Sequence, residues 1–220
     1  SHMNMQLNFP LNHNCTVAVI GLGYVGLPLA VEIATTRVCK RTKKELNRRV
    51  IGFDINQKRL EELRNSFDRN NEVSTKDLKN AKALELTDDI LILSEADVYI
   101  ITVPTPIDKY KIPNLKPLEK ASQTIGLAIK KRSESSSSKK NKPAPFVIYE
   151  STVYPGATEE ICVPIIENSS NQNLNLNEPN KGFYCGYSPE RINPGDPNRK
   201  IKDITKVTSG SSYEAAKWVD

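Results

Sequence analysis

Apolar residues fall along the chain in short blocks separated by polar segments, and the blocks are of two kinds. Some are continuous and rich in β-branched or aromatic residues: Thr16 to Ile20, Val50 to Phe53, Asp97 to Val103, Phe146 to Tyr149 and Phe183 to Tyr187. Such runs predict strands buried on both faces, as in a parallel sheet. Between them lie helix-compatible segments. One starts near Tyr24 and runs to Ala34. Asn56 to Phe67 carries Leu60 and Leu63 among charges at helical spacing, with Asn56 placed as an N-cap. Lys76 to Leu86 reads as a short helix with a strand excursion. Leu115 to Lys131 has apolar residues at Leu118, Ile125 and Ile129, with Ala121, Leu127 and Ala128 among them, and Ala157 to Glu167 has helical composition. The end, Lys206 to Gly210 and then Tyr213 to Val219, reads as a final strand and helix. This alternation predicts an α/β fold over residues 14–220: a doubly wound, mostly parallel sheet with helices on both faces. Residues 1–13 read as a loose lead-in in which Ser1, His2 and Met3 are a cloning remnant. No internal repeat points to a solenoid.

The first strand runs into GLGYVG, Gly21 to Gly26, and from there into the first helix. In a strand–turn–helix unit, Gly21 permits the tight turn, Gly23 lets a pyrophosphate approach the backbone with no Cβ in the way, and Gly26 lets the helix pack closely on the strand. Tyr24 and Val25 complete the turn, and the unpaired N–H groups of the helix start face the phosphates. On spacing alone a purely structural turn is an equal alternative. The second strand shifts the balance because it ends in Asp54, where a carboxylate accepts hydrogen bonds from an adenosine ribose. That favours NAD over NADP. Asp54 lies further from the glycines than the usual offset of about 20 residues, and the excess is assigned to the basic segment Arg37 to Arg49. The central strand ends at Pro104, Thr105, Pro106. Prolines cannot continue a ladder, so the chain leaves the sheet at the strand's carboxyl end, where ligands bind in open α/β sheets. Ser151 to Gly156 follows Tyr149 in the same way, so three loops are expected at one edge.

Composition narrows the picture further. The 220 residues suffice for one large α/β domain or a domain plus a fragment. The net charge of +5 is concentrated in Arg37 to Arg49 and Lys130 to Lys142, which have few aromatics and read as solvated insertions rather than a nucleic-acid footprint. Polar insertions are thus placed near 37–49, 133–142 and 168–181, the second being a Ser- and Lys-rich low-complexity stretch. Cys15, Cys39, Cys162 and Cys185 show no CxxC or paired metal spacing, and with only His2 and His13 no metal site is expected; a reduced, cytoplasmic protein fits this usage. No apolar run approaches the roughly 18 residues that a membrane span needs.

Four ordered motifs, GLGYVGLP, TVPTP, ESTVYPGAT and YSPERINPGD, together resemble the nucleotide-sugar (UDP-glucose/GDP-mannose) dehydrogenases. The ERINPGD form looks most like the UDP-N-acetylhexosamine 6-dehydrogenase branch. The resemblance runs from about Thr16 to Asp220, interrupted by the polar segments. It implies a Rossmann-like NAD-binding domain of an enzyme of polysaccharide biosynthesis that oxidises the C6 alcohol of UDP-GlcNAc, UDP-GalNAc or UDP-ManNAc to a carboxylate, with two NAD molecules used in turn. Val103, Thr105 and Thr152 would then line the nicotinamide pocket. Arg59 matches a basic position that contacts the adenosine side of the cofactor in relatives, the alternative being an exposed helical arginine. Thr152 resembles a threonine that helps position a catalytic water, against the alternative of a strand-end threonine satisfied by backbone. Glu190 aligns with a glutamate near the reacting carbon that could move a proton or orient water. Arg191 matches a guanidinium able to grip substrate charge.

Two departures matter. Pro194 replaces the second glutamate of the UDP-glucose dehydrogenase pattern, which supports the N-acetylhexosamine branch and weakens transfer of that enzyme's water activation. The family's thiol nucleophile, with its partner Lys, Asn and Asp, lies in a glycine-rich segment beyond residue 220, and Cys185 and the other cysteines read as buried structural thiols. The expectation is therefore an NAD-binding portion that is inactive alone and monomeric, from an enzyme that is a homodimer at full length. UDP-glucose or GDP-mannose dehydrogenase and a non-catalytic NAD-binding module are the alternatives.

Overall fold

The structure, a computed structural model, describes residues 15–36, 48–135, 143–150, 156–175, 178, 180–188, 205–207 and 213–215. Strand β1 (Thr16–Ile20) enters helix α1 (Gly26–Thr35), and β2 (Arg49–Phe53) is followed by α2 (Gln57–Arg64) and α3 (Thr75–Asn80). Then come β3 (Leu84–Thr87), α4 (Ile90–Leu93), β4 (Val98–Ile101), α5 (Lys116–Glu134) and β5 (Phe146–Tyr149). A π-helical turn (Thr158–Cys162) leads into α6 (Val163–Ser170), followed by β6 (Tyr184–Tyr187), β7 (Thr205–Val207) and β8 (Tyr213–Ala215). The sheet order is β3-β2-β1-β4-β5-β6-β7-β8. The first six strands are parallel, and β7 and β8 add on antiparallel. This is the doubly wound, Rossmann-like order, and the direction of winding reverses between β1 and β4, where ligands sit at the strands' carboxyl ends.

The strands' period of two separates the core into two layers. Val17, Val19, Val50, Val98, Ile100 and Phe146 pack with α1, α2 and α3 on one face. Ala18, Ile20, Ile51, Phe53, Tyr99, Ile101, Val147 and Tyr149 pack with α4, α5 and α6 on the other. Helices thus cover both faces, and strand runs without a polar alternation are the sequence record of that.

Three expectations need correction. Tyr213 to Val219 was expected to be helical, but Tyr213–Ala215 is a strand paired antiparallel with β7, Tyr213 opposite Val207 and Ala215 opposite Thr205. Helical composition is a weak prior that sheet pairing overrides. Of the basic stretch Arg37 to Arg49, residues 37–47 lie outside the described residues, and its end is not a solvated insertion: Arg48 is buried, and Arg49 lies in β2 with its guanidinium on Glu85 and Glu95. Likewise Lys130 to Glu134 form the last turn of α5, where Arg132 is buried, donates to the Ala96 carbonyl at 3.1 Å and pairs with Asp97 at 3.0 Å. Asp97 in turn accepts from the backbone N–H of Thr16 at 2.9 Å, so this arginine ties a helix end to the start of the central strands.

Candidate cofactor-binding site

The glycines of the turn after β1 differ in what surrounds them. Gly21 has φ +94°, and a Cβ there would lie 3.0 Å from Val103 Cγ1 and 3.1 Å from the Val103 nitrogen. A Cβ on Gly26 would come within 1.7 Å of the Gly21 carbonyl oxygen and 2.4 Å of Thr102 Oγ1. These two glycines are required by the protein itself. Gly23 is not: among the described residues, its own chain neighbours aside, no atom lies within 4 Å of where its Cβ would stand. The space it leaves open adjoins the start of α1, which follows Val25 without a side-chain cap; in its first turn the Leu27 N–H already donates to the Gly23 carbonyl at 3.2 Å and Pro28 carries no N–H, so the Gly26 N–H would be the one to meet an anion.

The peptide between the first two glycines is clamped from both sides. Asp54 Oδ2 accepts from the Leu22 N–H at 3.0 Å, and Arg59 Nε donates to the Leu22 carbonyl at 2.8 Å. Asp54 Oδ1 accepts from the Asn56 N–H at 2.9 Å, which leaves each carboxylate oxygen a further lone pair for a ribose hydroxyl. Asn56 caps α2 as expected, its side chain accepting from the Arg59 N–H at 3.2 Å. Arg59 is not an exposed helical arginine. It is buried, its Nη1 donating to Glu62 at 2.8 Å and Asp68 at 2.9 Å, while its Nη2 is buried with no hydrogen-bond partner among the described residues. A buried unmatched guanidinium nitrogen is costly without a ligand to satisfy it.

A cleft of about 420 Å³ opens at this edge. Of the expected cofactor residues, Gly21, Gly23, Asp54, Arg59 and Val103 line it. Tyr24 and Val25, both exposed, and the buried Gly26 and half-buried Thr105 stand outside that lining. Thr152, Glu190 and Arg191 lie outside the described residues. The sequence reading missed Lys58, Arg69, Pro117, Lys120 and Thr124, which complete the wall. The last three sit in the first turns of α5, which begins at the same carboxyl edge that the Pro104 to Pro106 turn had marked; following that turn into the helix start would have found them. Thr102 was also missed. Its buried hydroxyl lies 2.9 Å from the Ile20 carbonyl and 2.8 Å from that of Gly21 and so ties the end of β4 to the glycine turn. Of the cations in this lining, Arg59 and Arg69 are paired with Glu62 and Asp68, so Lys58 and Lys120, set against Asp54, carry the charge that suits the cleft to an anionic ligand.

The residues therefore fit a dinucleotide: an open cradle at Gly23, a helix start without a side-chain cap, an acceptor at the end of β2 and, among the described residues, an unmatched buried donor beside it. The described cysteines do not fit nucleophilic chemistry. Burial pushes the Cys162 thiol up to about 11 and that of Cys15 up to about 12, and holds Cys185 well above its ordinary value. Among the described residues no three His, Cys, Asp or Glu side chains converge as a metal site, and no helix is long and apolar enough to cross a membrane.

Comparison with known proteins agrees with this geometry. Residues 15–219 match the NAD binding domain of the UDP-glucose/GDP-mannose dehydrogenase family. The chain is 51% identical over 204 residues to a UDP-N-acetyl-D-glucosamine 6-dehydrogenase of Pseudomonas aeruginosa, covering 93% of this chain and 42% of that protein. It is 47% identical over 206 residues to Protein CapL of Staphylococcus aureus, covering 94% and 42%. Among solved structures, a UDP-D-ManNAc dehydrogenase from Pyrococcus horikoshii aligns with a TM-score of 0.58 at 27% identity, over 86% of this chain and 38% of that one. The chain thus spans about two fifths of the length of these relatives. With its motifs, its sheet order and its cleft all in the family's pattern, this chain belongs to the UDP-glucose/GDP-mannose dehydrogenase family, in its NAD-binding domain.

Proposed function

We propose that this chain supplies the NAD site of an enzyme that oxidises the C6 hydroxyl of a UDP-N-acetylhexosamine to the uronic acid in two hydride transfers. The observation that supports it most is the open cradle at Gly23, which no neighbouring described residue fills and which a pyrophosphate would fill. Bound there, NAD supplies the hydride acceptor. The chain's own residues hold and orient it: the start of α1 takes the pyrophosphate, Asp54 the adenosine ribose, and Val103 borders the nicotinamide side at the end of β4. On the family resemblance, Thr105 and Thr152 complete that side, Thr152 also positions a water, Glu190 moves a proton near the reacting carbon, and Arg191 pairs with substrate charge.

The gluco epimer is the first substrate to assay, because the relatives at 51% and 46% identity are UDP-N-acetyl-D-glucosamine 6-dehydrogenases. The high thiol values of Cys15, Cys162 and Cys185 support a division of labour in which these 220 residues bind NAD without completing the oxidation; on the family resemblance alone, the full-length enzyme is a cytoplasmic homodimer and this portion a monomer. The substrate is tested by following NADH formation by the full-length protein with UDP-GlcNAc, UDP-GalNAc, UDP-ManNAc and UDP-glucose. Turnover of an N-acetylhexosamine is expected, and turnover of UDP-glucose alone would defeat the assignment.

A further inference from the structure

Arg59 is held by a carboxylate that sits away from the glycine turn in sequence and is itself fully enclosed. The side chain of Asp68 has no exposed surface. Its Oδ1 accepts from Arg59 Nη1 at 2.9 Å and from the Asn70 N–H at 3.1 Å, and its Oδ2 from the N–H groups of Glu72 at 2.9 Å and Val73 at 3.1 Å. Three backbone donors thus lock the carboxylate, and the locked carboxylate faces one guanidinium nitrogen. Glu62 reinforces the arrangement by taking Arg59 Nη1 on Oε1 and Arg69 Nε, at 2.6 Å, on Oε2. With Nε on the Leu22 carbonyl and Nη1 on the two carboxylates, the planar fork is held in one orientation, and Nη2 is left buried and, among the described residues, unpartnered in a residue that lines the cleft.

We propose that Asp68 is a positioning residue of the cofactor site: it fixes the Arg59 fork so that Nη2 donates to an oxygen of the ADP half of the dinucleotide. The inference rests on the NAD reading above and adds to it a residue that does not line the cleft. A guanidinium oriented in advance loses little freedom on binding, which is where affinity is gained. Burial by itself raises the Asp68 carboxyl, but the Arg59 hydrogen bond and the backbone donors outweigh it and hold the group below its ordinary range, so it is the charged form that faces Arg59.

The test is calorimetric titration of this chain with NAD and with ADP-ribose, which keeps the ADP half and lacks the nicotinamide. Asp68→Asn is expected to weaken both by about tenfold, the size of one lost charge-assisted hydrogen bond, and the two losses should be equal. On an Arg59→Ala background, adding Asp68→Asn should leave both affinities unchanged, because Asp68 acts only through Arg59. Thermal melts report whether each variant is folded. Should Asp68→Asn not fold, Arg59→Lys with Asp68 intact gives the same reading, since an ammonium cannot reproduce the fork, and a similar loss is expected. A wild-type chain that binds neither ligand overturns the cofactor reading and this inference with it. Wild-type binding of both, with unchanged affinity in folded Asp68→Asn or in Arg59→Lys, or with a loss that persists on the Arg59→Ala background, overturns this inference alone.

Discussion

At the scale of single residues, the three glycines of the turn separate what the fold needs from what a ligand needs. Gly26 is enclosed by Gly21 and Thr102, so Gly26→Ala overpacks a site with no room to relax and should cost about 3 kcal/mol or more, read as a fall in melting temperature of roughly 6 °C or more. Gly23→Ala meets no protein atom and sits at a backbone conformation that any residue adopts; its melt should stay within about 0.5 kcal/mol of wild type while NAD affinity drops by tenfold or more, about 1.4 kcal/mol. The reverse pattern would show that Gly23 serves the fold and not a ligand. Much of this site was legible in the sequence, because GLGYVG and Asp54 carry their chemistry in residue type and spacing. Arg59 was only half legible. Its place after Asp54 could be read, and Glu62 stands three residues on in the same helix, but Asp68, which completes the change from a surface arginine to a buried fork, comes from a loop whose path no periodicity encodes.

At the scale of elements, strands were easier to place than their surroundings. A strand buried on both faces leaves an unbroken apolar run, so Phe146–Tyr149 reads at its true bounds. Helix α4, four residues started by Asp89 accepting from the Leu91 N–H, is too short for any helical period to show. The end of the chain failed differently, since β8 exists by pairing with β7 and local composition says little about a partner. The helix pair on one face holds a further test. A Cβ on Gly126 in α5 would stand 2.4 Å from Ser169 Cβ and 3.1 Å from the Ile166 carbonyl oxygen of α6. Alanine is favoured over glycine within a helix by about 1 kcal/mol, yet here the clash should win: Gly126→Ala is expected to destabilise by about 1–2 kcal/mol in thermal or denaturant unfolding. A stabilised variant would mean that α5 and α6 do not cross as closely as described.

At the scale of the whole molecule, the doubly wound order brings the ends of β1, β2 and β4 to one edge. Residues far apart in sequence, Gly23, Asp54, Arg59 and Val103, meet there in one basic-rimmed cleft. The most direct measurement is calorimetric titration of this chain with NAD, run beside NADP. Saturable one-to-one binding of NAD is predicted, with NADP weaker because a 2′-phosphate would meet the Asp54 carboxylate. No heat of binding at millimolar NAD, or a clear preference for NADP, would contradict it.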